Sequence, residues 1–214
     1  MMKIGIIGAT GKAGQFILKE ALDRGHEVTA IVRNASMVED KSLNVLEKDV
    51  FDLTAEDAKS FDVIVNAFGA PAGKEHLHVE AGQALINILK DAPDTRLIVV
   101  GGAGSLFTDE TKTLRVVDSP GFPEAYKATA TNQGKNLQDL QASSGIQWTF
   151  LSPAGFFNPE GVRTGKYQSG KDQILVNSEG NSYISYADYA IALVDEIENP
   201  QHQNERFTVV GEVK

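Results

Sequence analysis

Cysteine is absent from all 214 residues. That excludes disulfide staples, thiolate nucleophiles and cysteine-ligated metal or iron–sulfur sites. Basic residues are scarce as well: 20 Lys and Arg stand against 29 Asp and Glu, and no basic run is present of the kind that tracks a phosphate backbone or an anionic membrane. The expected partner is a small molecule, with no nucleic acid and no membrane. Long apolar runs are lacking too, each falling well short of a bilayer span. The first strand pattern begins at Lys3, which leaves no room for a signal peptide. The expectation is a cytoplasmic monomer or homodimer. Apolar residues make up 42% of the chain, enough for one sizeable core, and the length calls for a single domain over 1–214.

What is present is a rhythm. Short β-branched runs at 3–7, 27–32, 45–48, 63–66, 97–100, 147–151 and 207–210 read as strands, mostly without polar alternation, as strands covered on both faces do. Helical spacing separates them. Gly14, Ile17, Leu18, Ala21 and Leu22 share one face before Gly25 stops the first helix. Leu77, Ala81, Ala84, Leu85, Ile88 and Leu89 mark a second. A third runs from near Pro123 to Gly145 with Tyr126, Ala130, Leu137 and Leu140 along one side, and a fourth covers 186–198. Alternating β and α segments with right-handed crossovers predict a doubly wound parallel sheet, an α/β Rossmann fold in three α/β/α layers. Residues 152–185, rich in Gly, Pro, Ser and Asn, break the rhythm and predict a small lobe capping the substrate side.

The turn after the first strand, "GATGKAG", places Gly8, Gly11 and Gly14 where a dinucleotide site needs them. The first permits the tight turn, the second lets the main chain approach a diphosphate, and the third lets helix and strand pack closely. Thr10, Lys12 and Ala13 complete the loop and the first helical amides. The second strand ends in Arg33 and Asn34 where an NAD-preferring site carries an acidic residue, so an arginine suits the 2′-phosphate of NADP(H), with NAD(H) as the other possibility. A charge-assisted hydrogen bond there is worth roughly 1.5–3 kcal/mol, about ten- to a hundredfold in affinity. The other reading of Arg33 is a solvated strand-end side chain. Asp49 and Val50 close the third strand, positioned to bracket adenine. Ala67, Phe68 and Gly69 close the fourth near the ribose. Gly102 belongs to "GGAGSL" after the fifth strand, on the nicotinamide side.

The segments "KIGIIGATGKAG", "VTAIVRN", "NAFGAP", "VVGGAGSL", "LSPAGFFNP" and "ISYADYAIALVDEIENP" together resemble the atypical short-chain dehydrogenase/reductase superfamily, in particular its NADH-flavin-reductase-like and NmrA-like NAD(P)-binding members. The likeness runs end to end. It implies a Rossmann domain, a bound NAD(P), and in several relatives reduction of flavins, biliverdin or quinones. The wider superfamily uses a Tyr-x-x-x-Lys pair on the helix before the sixth strand. Here Tyr126 is followed four residues on by Ala130, and Lys127 lies on another face. "YQSGK" at 167–171 repeats the spacing only by accident, after the sixth strand. Loss of the pair argues against carbonyl reduction more than against hydride transfer to a conjugated ring, in which the protein chiefly positions two ring systems.

The leading expectation is an NAD(P)H-dependent reductase acting on a small planar acceptor such as a flavin or quinone, the flavin being substrate and not a tightly held group. A non-catalytic NADP(H)-binding redox sensor is the alternative, and an epimerase or dehydratase comes third because it needs a proton-handling residue. Tyr126 and Ser105 are the candidate catalytic residues. Ser105 stands either against nicotinamide or substrate, or bonded within its own loop. Pro153, Phe156 and Phe157 form either an aromatic wall for the substrate or lobe core. His76 and His78 face different sides with no carboxylate at ligand spacing, so no metal is expected. Tyr183, Tyr186 and Asp188 are read as organising the return from the lobe, Asp188 complementing the helix dipole.

Overall fold

The computed structural model describes residues 1–213. It begins with β1 (Lys3–Ile7), α1 (Lys12–Asp23), β2 (Glu27–Val32), β3 (Asn44–Glu47), a one-turn α2 (Ala55–Ala58) and β4 (Val63–Asn66). Next come α3 (Leu77–Leu89), β5 (Arg96–Val100), α4 (Glu124–Ala142) and β6 (Gln147–Ser152). Three short strands, β7 (Phe156–Asn158), β8 (Tyr167–Gly170) and β9 (Tyr183–Ser185), precede α5 (Tyr186–Glu198) and β10 (Glu205–Gly211).

Eight strands form one sheet in the order β3-β2-β1-β4-β5-β6-β10-β8. Every neighbouring pair is parallel except β8 against β10. The chain winds outward from β1 to β3, then returns to β4 on the other side of β1. Connections therefore leave the carboxyl ends of β1 and β4 in opposite directions, and the crevice between them is where ligands of such sheets bind.

Both sheet faces are apolar, and successive residues of each strand serve opposite layers. Ile6, Ala30 and Val65 point to the layer of α1 and α5, where Ile17, Ala21, Tyr189 and Leu193 are buried. Ile7, Ile31 and Ile64 point to the layer of α3 and α4, against Leu85, Leu89, Leu137 and Leu140. Each Leu, Ile or Val among these, taken fully from water, contributes roughly 1.5–3 kcal/mol, an alanine methyl about a third of that. The unbroken apolar runs follow from this two-sided burial.

Segment 152–185 departs from the expected lobe in one respect. β7 and β9 pair with each other as a small parallel sheet, but β8 joins the main sheet as its antiparallel edge, Val209 opposite Ser169. The connection between β7 and β8 is tied down by α5 and α1. The fully buried Asp188 carboxylate accepts from the Thr164 amide (2.9 Å), the Thr164 hydroxyl (2.7 Å) and the Gly165 amide (2.9 Å). Arg163 donates to both carboxylate oxygens of Glu20, at 3.0 and 2.9 Å. α4 stops at Ala142, short of Gly145, because Ser143 turns extended and its hydroxyl donates to the Leu140 carbonyl at 2.6 Å. Among the described residues, no helix is long and apolar enough to cross a membrane.

Candidate functional site

β1 runs into Gly8, whose φ of +73° disfavours a side chain and whose Cβ would fall 2.5 Å from the Ala67 carbonyl oxygen. A Cβ at Gly14 would fall 2.1 Å from the Gly8 carbonyl oxygen. These two glycines let α1 seat directly on the turn and on the end of β4. Gly11 is the N-cap of α1, and no side chain caps the helix. The amides of its first turn are thus available to an anion, and Gly11, Lys12 and Ala13 line the crevice alongside Gly8 and Thr10. The cradle fits a diphosphate.

The crevice encloses about 1180 Å³, above the roughly 300–1,000 Å³ of a site for one drug-sized ligand. Its charge is one-sided. Lys12, Arg33, Lys48 and Asp49 line it from the β1–β3 half, and among the described residues no Asp, Glu, Lys or Arg lines it beyond Asp49. The Arg33 side chain is 74% exposed, with Nε 4.0 Å from an Asp49 oxygen. Asn34 and Asp49 each use a side-chain oxygen to close a turn, accepting from the Ser36 amide (2.9 Å) and the Phe51 amide (3.1 Å). Arg33 is thus a cation at this rim free to reach a ligand, beside the unused amide nitrogen of Asn34 and the second carboxylate oxygen of Asp49. Val50, Ala67, Phe68 and Gly69, all at strand ends, line the neighbouring wall.

His78 also lines this wall, edge-on to Phe68 with ring centroids 5.7 Å apart. Burial pulls its imidazole below the ordinary value, only partly opposed by the Glu75 charge, so it is neutral at pH 7. His76 faces away, 3.8 Å from Glu80.

The other half is uncharged and aromatic. Gly102, Pro153, Phe156 and Phe157 line it, and Tyr126, 67% exposed, stands at the mouth. Tyr186, given only a structural role by its position in the sequence, also lines the cleft, packed on Phe157 with centroids 3.8 Å apart. Burial raises the Tyr186 phenol, which stays protonated. The face of α4 carrying Tyr126 continues through Thr129 and Ala130 to Gln133, two turns along. Gln133 folds over Gly102, its Oε1 only 2.1 Å from where a Cβ on that glycine would be. At Ala130 the helix presses onto Gly104, where an added Cβ would come within 2.6 Å of the Ala130 Cβ. The missing lysine thus coincides with a close helix-to-loop approach.

Ser105 departs from both expectations. It is buried and absent from the cleft lining; its hydroxyl accepts from Arg206 Nη1 at 3.1 Å, so it braces the Gly101–Gly104 wall from behind. Tyr167 and Lys171 lie away from the cleft, the first donating to Asp195 at 2.8 Å and the second 3.4 Å from Glu205. His78, Gln133 and Tyr186 escaped the sequence reading because helix-facing direction is a matter of packing. Only Gln133 left a signal, its seven-residue offset from Tyr126.

Comparison with known proteins agrees with this geometry. Residues 8–200 match the family described as NAD(P)H-binding. YwnB of Bacillus subtilis (strain 168), an uncharacterized protein, is 69% identical over 213 residues, spanning 100% of both chains. The crystal structure of SP1627 from Streptococcus pneumoniae TIGR4, described provisionally as an NADH-flavin reductase, superposes with a TM-score of 0.94 at 43% identity, covering 99% of this chain and 100% of that one. Phenylcoumaran benzylic ether reductase 1 of Arabidopsis thaliana is 22% identical over 199 residues, a match that takes in 84% of this chain and 58% of the plant protein. With the family match covering most of its length and a glycine cradle at its head, the chain belongs to the NAD(P)H-binding family.

Proposed function

We propose that this protein is an NADPH-dependent reductase that passes hydride to a small planar conjugated acceptor, a flavin or a quinone. The observation that carries the reading is the division of one cleft into a cationic half and an uncharged aromatic half, with Ala130 where a carbonyl reductase needs lysine. A bound nicotinamide supplies hydride. The chain supplies placement and the exclusion of water from the reacting faces.

In this reading Gly8, Gly11 and the amides of Lys12 and Ala13 hold the diphosphate, and Arg33 pairs with the 2′-phosphate. Val50 and Phe68 flank the adenine, while Asp49 stands at its edge. Gly102 leaves the nicotinamide side open, Gln133 offers an amide to it, and Phe156, Phe157 and Tyr186 make the wall against which a flat acceptor lies. A conjugated acceptor delocalises the incoming electron pair, so its remaining proton can come from water at the open mouth beside Tyr126. That removes the need for a lysine-tuned acid.

The test is oxidation of saturating NADPH by purified protein with flavins, quinones and biliverdin in turn. Acceptor-dependent loss of reduced-cofactor absorbance supports the reading; its absence with every acceptor overturns it. Tight NADPH binding without turnover, together with redox-dependent capture of a protein partner, favours a sensor instead.

A further inference from the structure

A second cavity, of about 470 Å³, opens in the lobe beside the cleft. Phe156 lines both. The residue is 59% exposed, and its ring lies 5.8 Å from that of Tyr183, which lines the lobe cavity. The two cavities thus adjoin at Phe156, the place where a ligand seated in the aromatic half of the cleft would enter the lobe.

The lobe cavity differs in chemistry from the cleft. Asn158, Asn181, Ser182 and Glu160 line it, over Tyr183. Asn158 Nδ2 donates to the Tyr183 hydroxyl at 3.4 Å and Asn181 Nδ2 to Glu179 at 3.5 Å, which leaves the second proton of each amide, the Asn181 side-chain oxygen and the Tyr183 hydroxyl proton to a ligand. The Ser182 oxygen accepts from the Gly155 amide at 2.9 Å, which leaves its hydroxyl proton to donate. Asn158 Oδ1 takes the Glu160 amide at 3.0 Å and so fixes the loop that carries the Glu160 carboxylate to the cavity. Donors and acceptors are mixed, as hydroxyl groups require, since each hydroxyl both gives and takes a hydrogen bond. The only ionised group among the described lining residues is Glu160, and the neighbouring Arg163 is turned away, held by Glu20.

From this juxtaposition we infer that the lobe cavity is a tail subsite for an uncharged polyhydroxyl chain, so that the preferred acceptor is a flavin whose tail carries hydroxyls and no phosphate. The inference rests on the reductase reading and narrows it. Hydride goes from the nicotinamide to the flavin ring, one proton comes from water, and oxidised cofactor and reduced flavin result. The tail takes no part in the bond changes. Like charge between Glu160 and a terminal phosphate opposes binding of the phosphorylated flavin, and because Glu160 is exposed the effect is screened by salt.

Three flavins separate the contributions: lumiflavin, with no tail; riboflavin, with a neutral polyol; and FMN, with a phosphate. Each is titrated into protein loaded with NADP⁺, following quenching of flavin fluorescence, and kcat/KM is measured with NADPH. Two or three added hydrogen bonds should make riboflavin bind about tenfold tighter than lumiflavin. FMN should bind about fivefold more weakly than riboflavin at low ionic strength, the gap closing as salt rises. Glu160→Lys should reverse the order of riboflavin and FMN, an outcome that itself requires a folded protein. Equal affinity for lumiflavin and riboflavin, or FMN equal to riboflavin with no response to Glu160→Lys, overturns the tail subsite and leaves the reductase reading standing on lumiflavin turnover. Failure of all three to bind, with NADPH bound, overturns the tail subsite and the flavin arm of the reductase reading together.

Discussion

Arg206, buried on β10, donates from Nη1 to the Ser105 hydroxyl at 3.1 Å and from Nε to Asp172 at 3.0 Å. One guanidinium thus joins the loop after β5 to the lobe beneath the cleft wall. Truncating it strands buried acceptors at a cost of about 1–3 kcal/mol each. Arg206→Ala should therefore lower unfolding free energy by about 3 kcal/mol and weaken acceptor binding, while Ser105→Ala should cost about 1 kcal/mol. Urea melts of both variants measure this; equal and negligible losses would refute the bracing role.

Arg33 tests cofactor choice. Arg33→Ala should weaken NADPH binding about ten- to a hundredfold and leave NADH binding nearly unchanged. Titration calorimetry with both coenzymes decides it, and parallel losses would reject the 2′-phosphate pairing.

Gly14 tests the cradle. An added methyl would sit 2.1 Å from the Gly8 carbonyl oxygen, against backbone that has nowhere to go. Gly14→Ala should cost at least about 2 kcal/mol of stability and abolish coenzyme binding. Gly180→Ala, at a turn where nothing lies within 4 Å of the added carbon, is the control for strain without crowding, and should retain binding.

Tyr186 separates ring from hydroxyl. Its packing on Phe157 needs only the ring, so Tyr186→Phe should keep acceptor KM within about twofold, whereas Tyr186→Ala should raise it about tenfold. A comparable rise in both variants would assign the role to the phenol oxygen.

Acid stability follows from two carboxylates. Burial alone would raise Glu196, but hydrogen bonds from the His202 side chain and backbone, with the Arg96 charge, hold it below its ordinary 4.5. Asp172 is likewise held below 3.8, burial being outweighed by hydrogen bonds from Lys112 and Arg206. Folded values below unfolded ones mean that this stabilisation is complete above the unfolded values and is lost as pH falls through the folded ones. Unfolding free energy should be flat from about pH 7 to 5 for these groups and fall steeply below about pH 4. Glu196→Gln should flatten part of that fall, and should also destabilise at neutral pH by about 3 kcal/mol because Arg96 loses its buried partner. Urea melts across the range check both the slope and the sign.

The central sheet was legible in the sequence because its strands are buried on both sides: β1, β2, β4, β5 and β6 announce themselves as apolar runs without needing a partner. The glycine turn was legible for a local reason, since Gly8, Gly11 and Gly14 act within a single strand-to-helix turn. β7, β8 and β9 were not. They have three or four residues each, and β8 is a strand only because Val209 and Val210, about forty residues later, pair with it. The aromatic half of the cleft was legible in part: Phe156 and Phe157 stood out, but Tyr186 faces the cleft only because Ser185 caps α5 and sets its phase, with the Asp188 amide donating to the Ser185 hydroxyl at 3.0 Å. Ser105 misled because proximity along the chain to the glycine loop says nothing of which way a side chain turns, and Arg206 lies a hundred residues away.

The clasp of Thr164 and Gly165 by Asp188 bears on which parts of the molecule open together. A carboxylate with no exposure to solvent, holding three donors from the strap, makes that strap and the first turn of α5 a single rigid piece. Thr164 and Gly165 should then exchange their amide protons together with the first turn of α5 and not as a free loop does, because both are released only when the buried carboxylate lets go.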